Sequence, residues 1–243
     1  VKSLSPSLDT LGCFGRSIED VALGVAAMSG DHSLSKVDDL HTKLRVRICK
    51  TPDWDLASKD TIAAIALARF TAEKIATGKV DDLSLPQIFA GLRQIQTRIM
   101  LSEMSRSLTF ERQYFSKKLS PLLTKILDEG MHIPYAQYSD DLQTANTARA
   151  VITKLFKDDF DILIAPSAIG EAPLLKEGTG DPVFGRIWTL LGLPCINVNV
   201  DAGSNGMPIG VQLIAGPGKD RLLLSAARAF AFAMPDPILR DQA

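Results

Sequence analysis

The chain has 243 residues, of which 46% are hydrophobic and 23% charged, the proportions of a folded domain whose core needs no disulfide or metal staple. Twenty-seven basic residues against 28 acidic leave a formal charge of −1, which argues against a nucleic-acid partner held on a broad cationic face. Cys13, Cys49 and Cys195 are too few and too widely spaced for a disulfide framework or a zinc site, no apolar run is long enough to cross a membrane, and the opening VKSLSPSLDT has no secretory pattern, so a reduced cytoplasmic protein is expected.

Ser17, three residues before Asp20, approximates a capping box and predicts a helix over 18–28 that stops at Gly30. Residues 31–42 are polar and read as a loop. RVRIC (45–49) reads as a strand, TPDW as a turn, and a helix capped by Ser58 or Asp60 is expected to run to about Thr77, with Ile62, Ile65, Phe70 and Ile75 inside. VDDLSL (80–85) is a short strand closed by Pro86. From there to Lys157 the pattern is helical: Ile88, Leu92, Ile95 and Ile99 recur on one stripe, and Leu101, Met104 and Leu108 extend an apolar face. Ser120-Pro121 opens a further helix that Gly130 is expected to end, and another covers 135–156. DILIAPS (161–167) is a hydrophobic strand running into a Gly- and Pro-rich loop. FGRIWTLLG is a helix, PCINVNV and IGVQLIAG are two buried strands joined through Asn205-Gly206, and the segment from Gly218 to Met234 is a closing amphipathic helix. The expected fold is α/β: a mixed β-sheet flanked by helices with an all-helical insert, organised as 1–85, 86–157 and 158–243.

Composition and spacing reveal no catalytic set. There is no G-x-S-x-G elbow, P-loop or dinucleotide fingerprint. His32, His41 and His132 read as solvated loop residues. Ser33 and Lys36 form an S-x-x-K string, but in a polar loop where such a pattern arises by chance. Cys195 reads as a small hydrophobe on a buried strand rather than a nucleophile.

Three segments nevertheless resemble one family. SPSLDTLGCFGRSIEDVAL (5–23) is similar to the S-x-S-L-D-x-x-G-x-x-x-R-T-x-E-D-A-A stretch of amidase signature enzymes, through Ser7, Leu8, Asp9, Gly12, Arg16, Glu19 and Asp20, with Ser17 in place of the usual Thr. RVRICKTPDWD resembles that family's strand and T-P-x-W-D turn. DILIAPSAIGEAP, GLPCINVNV and GMPIGVQLIAG resemble its C-terminal motifs. The family's chemistry uses a Lys, a cis-bonded Ser and a nucleophilic Ser in a Gly/Ser-rich stretch that precedes S-L-D by some tens of residues. No such stretch lies within these residues, so no catalytic residue is carried over. A first residue of Val rather than Met fits a chain cut from a longer one, or a late start.

The resemblance implies one wall of a substrate pocket at Pro166, Ile169, Thr179, Gly180, Asp181, Phe184 and Trp188. Phe184 and Trp188, four apart on one helix face, could form an aromatic wall or simply be core; Asp181 could receive a substrate donor or act as a first-turn acid. Asp9 is either an acid in the substrate path or, as favoured, the tie of a turn. No metal and no cofactor is implied. The expected function is the C-terminal part of an amide hydrolase, inactive by itself, whose partners are a small-molecule amide in the intact enzyme and another chain, or a second copy, on an exposed sheet edge. The alternative is a non-catalytic binding module that keeps the scaffold. A nucleic-acid or membrane partner is not expected.

Overall fold

Ser17 performs the role its spacing predicts. Its Oγ accepts from the Asp20 amide at 3.1 Å and starts α1 (Ile18–Ser29), which Gly30 terminates; such a cap is worth about 1 kcal/mol. The computed structural model describes Lys2–Met234; Val1 and residues 235–243, the tail of the third expected segment, lie outside the described residues.

Five strands form one sheet in the order β2-β1-β3-β5-β4: β1 (Val46–Lys50), β2 (Asp81–Ser84), β3 (Ile162–Pro166), β4 (Cys195–Ala202) and β5 (Pro208–Ala215). β2, β1 and β3 are parallel; β5 runs antiparallel to β3, and β4 antiparallel to β5. The sheet is mixed and helix-flanked, as expected. Its side chains alternate between two cores. Val46, Ile48, Ile162, Ile164, Val198 and Val211 pack against α1, α2 (Lys59–Ala72) and α8 (Asp220–Ala233). Cys49, Leu163, Ala165 and Ile214 pack on the other face against α3 (Leu92–Ser107), α6 (Tyr135–Asp158) and α7 (Arg186–Leu191). The helical stretch thus contributes a layer continuous with the sheet core: Leu92, Ile95 and Ile99 of the predicted stripe share one cluster with Leu163 and Trp188. Two shorter helices, α4 (Thr109–Tyr114) and α5 (Pro121–Met131), sit outside that layer.

Five expectations need correction. Ile62 and Phe70 are exposed; α2 turns Thr61, Ala64, Ile65, Ala68, Thr71 and Ala72 inward, because small side chains let the helix lie close on the sheet. That helix also ends at Ala72 rather than near Thr77. Gly130 does not end α5 but lies inside it, buried where α5 crosses α3; a Cβ there would stand 2.1 Å from the Leu101 carbonyl oxygen. PCINVNV is not a doubly buried strand. β4 is a sheet edge with Ile196, Val198 and Val200 turned inward and Cys195, Asn197 and Asn199 outward. Leu101 and Met104 are only half-buried, whereas Ser102, Glu103 and Ser105 on the same helix are buried.

Candidate functional site at the ends of β1 and β3

β1 leads through α2 to β2 on one side, and the chain returns to β3 through α3–α6 on the opposite face. β1 and β3 are neighbours from which connections leave in opposite senses. In α/β sheets that switch point, beyond the carboxyl ends of the strands, is where ligands bind. Two loops meet there: 51–58, after β1, and 167–182, after β3. They are tied together. The Ser58 amide donates to the Ile169 carbonyl at 2.7 Å, and Thr61 Oγ1 donates to the same oxygen at 2.9 Å.

The longer loop carries the residues singled out in the sequence. Pro166 is buried at the end of β3, where its carbonyl accepts from Gln212 Nε2 at 2.6 Å. The same amide nitrogen donates to the Phe184 carbonyl at 2.9 Å, so one buried side chain of β5 grips both ends of the loop. Ile169 is partly exposed beside the tie to α2. Thr179, Gly180 and Asp181 lie on the outer part of the loop and are exposed. Gly180 has φ +79°, a conformation that favours glycine. Asp181 Oδ1 accepts from Arg186 Nη2 at 3.1 Å, and Arg186 Nη1 reaches Thr97 Oγ1 on α3 at 2.9 Å. Asp181 is thus neither a cap nor a first-turn acid of α7; it lies ahead of the helix and pairs with Arg186, the first helical residue. Phe184 lies in the turn before α7, so it does not share a helix face with Trp188 as expected; both retain only 1% of their surface, and Trp188 Nε1 is buried without a partner.

The inner part of the loop is also fastened. Glu171 accepts from the Asn205 amide at 3.1 Å, from Asn205 Nδ2 at 2.7 Å and from the Met207 amide at 2.8 Å, gripping the β4–β5 hairpin tip. The other sequence candidates lie elsewhere. Ser33 and Lys36 are exposed in a short 3-10 turn near α1, and the three histidines are exposed. Cys195 reaches the surface of β4, yet the protein around its sulfur pushes the thiol up to about 12, which leaves almost no thiolate near neutral pH. Asp9 is the tie of a turn: its carboxylate accepts from Ser3 Oγ at 2.6 Å, the Leu4 amide at 2.9 Å and the Ser5 amide at 3.1 Å.

Gln212 and Glu171 both lie within matched motifs, yet sequence reasoning gives neither a role. A lone amide within the apolar run IGVQLIAG is the signal that could have found the first; the second carries no local mark. Among the described residues no group of three or more His, Cys, Asp or Glu is placed to hold a metal ion, and no helix is long and apolar enough to cross a membrane.

The family model for amidases matches residues 1–224. The chain belongs to the amidase family. The amidase relatives include the A subunit of glutamyl-tRNA(Gln) amidotransferase, chloroplastic/mitochondrial, of Sorghum bicolor, 26% identical over 92% of this chain and 51% of its own length. A more local match, 38% identical over 34% of this chain and 18% of the relative, is to the corresponding subunit of Agathobacter rectalis. Among solved structures, the vestigial protein complex bearing on the origins of an s-triazine catabolic enzyme contains a chain that superposes with a TM-score of 0.78 at 26% identity, over 93% of this chain and 54% of that one. A crystal structure of amidase shares the fold with a TM-score of 0.82 at 19% identity, over 96% of this chain and 55% of that one. The chain thus spans about half the length of the relatives it matches.

Proposed function

We propose that this amidase-family chain supplies the C-terminal scaffold and one pocket wall of a hydrolase that converts a carboxylic amide to an acid and ammonia or an amine through an acyl-serine intermediate. The observation that carries the reading is the fastened loop at the sheet's switch point, where the family's motifs and the site geometry coincide. In this reading Ile169, Thr179, Gly180 and Asp181 face the substrate, and Pro166, Phe184 and Trp188 support the loop from below. The Ser, cis-Ser and Lys lie outside these residues, so the 243-residue chain is inactive alone. Burial of its sulfur holds the Cys195 thiol protonated, which supports this.

We assign the outer edge of β4 as the place where the rest of the enzyme pairs with this chain, because among the described residues β4 ends the sheet with no strand on its outer side. Three free cysteines suit a reducing compartment, and we place the chain in the cytoplasm.

The test is hydrolysis of a simple aryl amide by the purified chain. No turnover is expected. Turnover that survives Ser33→Ala and Cys195→Ala would leave the reading without a nucleophile and sink it. Coding sequence upstream of Val1 offers a second check: an in-frame G-G-S-S-G-G-S segment supports the hydrolase, whereas a stop codon favours the non-catalytic module.

A further inference from the structure

Glu103 has no part in the pocket wall, and the helical stripe gives no reason for a carboxylate at its position. It is nonetheless buried, at 6% exposure, where α3 passes under the segment Ser3–Asp9. Its Oε2 accepts from Ser5 Oγ at 2.7 Å and from the Ser7 amide at 3.1 Å. Its Oε1 accepts from Ser7 Oγ at 2.7 Å and from the Tyr138 hydroxyl of α6 at 2.8 Å. All four partners donate. An acid proton on Glu103 would displace one of them, so the geometry fits a carboxylate.

The turn it holds is otherwise closed on itself. The Leu8 and Asp9 amides donate to the Ser5 carbonyl at 2.8 and 2.7 Å, Asp9 caps the turn from within, and Leu8 drops into the core shared with α3 and α6. The two serines of S-x-S-L-D thus point at one acid, 98 and 96 residues away in the chain. The charged and titratable groups around it are few. Tyr138 bonds to it directly. The Arg106 guanidinium stacks over the Tyr138 ring at 4.5 Å and over Tyr135 at 5.8 Å. Asp9 faces the other side of the turn, and Lys2 pairs with Glu111 farther along. Burial by itself would raise the Glu103 pKa, but the hydrogen bonds from Ser7, Ser5 and Tyr138 outweigh it, and the group lies below its ordinary value.

We propose that Glu103 is a positioning residue: it latches the S-x-S-L-D turn to the helical layer and so fixes the path of the chain entering this half of the amidase. The functional meaning rests on the hydrolase reading; the latch itself does not. A folded-state pKa below the unfolded value means that the latch is fully engaged above the unfolded carboxyl pKa and weakens as pH falls through the folded one.

The experiment is amide hydrogen exchange on the 243-residue chain, comparing the Ser7, Leu8 and Asp9 amides with those of β3. Glu103→Ala should speed exchange at residues 7–9 by about tenfold or more, with β3 changed less than about twofold. Glu103→Gln should fall between, because the Ser7 and Tyr138 hydroxyls can turn to accept from its amide while the Ser7 amide keeps an oxygen acceptor. After correction for intrinsic rates, wild-type protection at Ser7 should fall as the solution is acidified, and that dependence should vanish in Glu103→Gln. Unchanged exchange at 7–9 in the Ala variant, or a rise shared equally by β3, overturns the latch. If the Ala variant does not fold, Glu103→Gln and Tyr138→Phe decide the matter: pH-dependent protection that persists in Glu103→Gln overturns it as well. Aryl-amide turnover by the chain alone that survives Ser33→Ala and Cys195→Ala would defeat the hydrolase reading and leave these exchange results standing.

Discussion

The two edges of the sheet are built in opposite ways. β2 is four residues long and carries Asp81 and Asp82, both exposed, within a ring of cations: Lys50 lies 2.8 Å from Asp82, Lys79 and Arg47 lie 3.3 and 3.4 Å from Asp81, and Arg69 also pairs with Asp82. β4 is eight residues long, and its outward side chains are Cys195, Asn197, Asn199 and Asp201, with no basic residue. A single irregularity between Asn199 and Asp201 interrupts its pairing with β5. Short length and clustered charge are how a sheet refuses another strand; greater length with a single charge, Asp201, at its end leaves β4 less guarded. The difference marks β4, rather than β2, as the edge that the proposed enzyme would extend.

The contrast between the edges breaks most severely from below. Val198 faces the core under β4, at 8% exposure. Val198→Asp buries an unpaired carboxylate there and should cost about 3 kcal/mol, read as a lower urea midpoint. A small loss would mean that β4 is loosely held even on its inner face. A smaller change in stability, but a clear change in association, is expected from Asn199→Lys. The isolated chain should self-associate through β4 in sedimentation velocity at high concentration, and the added charge should leave it monomeric while folding stability moves by less than about 0.5 kcal/mol. Association that survives the lysine would relocate the interface.

The smallest effect belongs to the guarded edge. Lys50 holds the Asp82 carboxyl below its ordinary value; partial burial opposes this, and Arg69 adds to the lowering. The stabilisation is therefore present above the unfolded carboxyl pKa and is lost as pH falls through the folded one. Because the group is exposed and screened, Asp82→Asn should cost no more than about 0.5 kcal/mol near neutral pH, and the cost should disappear in about 1 M salt. A thermal scan of both forms across acidic pH checks the sign.

Much of the fold was legible because local chemistry and global packing agree. Ser17 marks the start of α1, the uninterrupted ILIA run marks the central strand β3, and Asn205-Gly206 lies at the tip of the hairpin. The misreadings arise where packing uses something other than large apolar side chains. Alanines and threonines, with Ile65 but not Ile62 or Phe70, face the core from α2, and Gly130 serves a helix crossing that no local pattern announces. In β4 the alternation of Ile196, Asn197, Val198, Asn199 and Val200 was present in the letters, but valine and isoleucine density suggested burial on both faces. At the site, the loop after β3 was legible from motif and position. The residues that fasten it were not, because Gln212 and Glu171 act on partners distant in sequence.

The Gln212 amide has a consequence for how such a molecule can change. It spans the Pro166 and Phe184 carbonyls from a strand outside the loop, so both anchor points keep their separation whatever lies between them. Ile169 and Glu171 hold the first part of the span to α2 and the hairpin, so changes of length are tolerated most easily between Ala172 and Gly180, where the frame stays fixed on both sides.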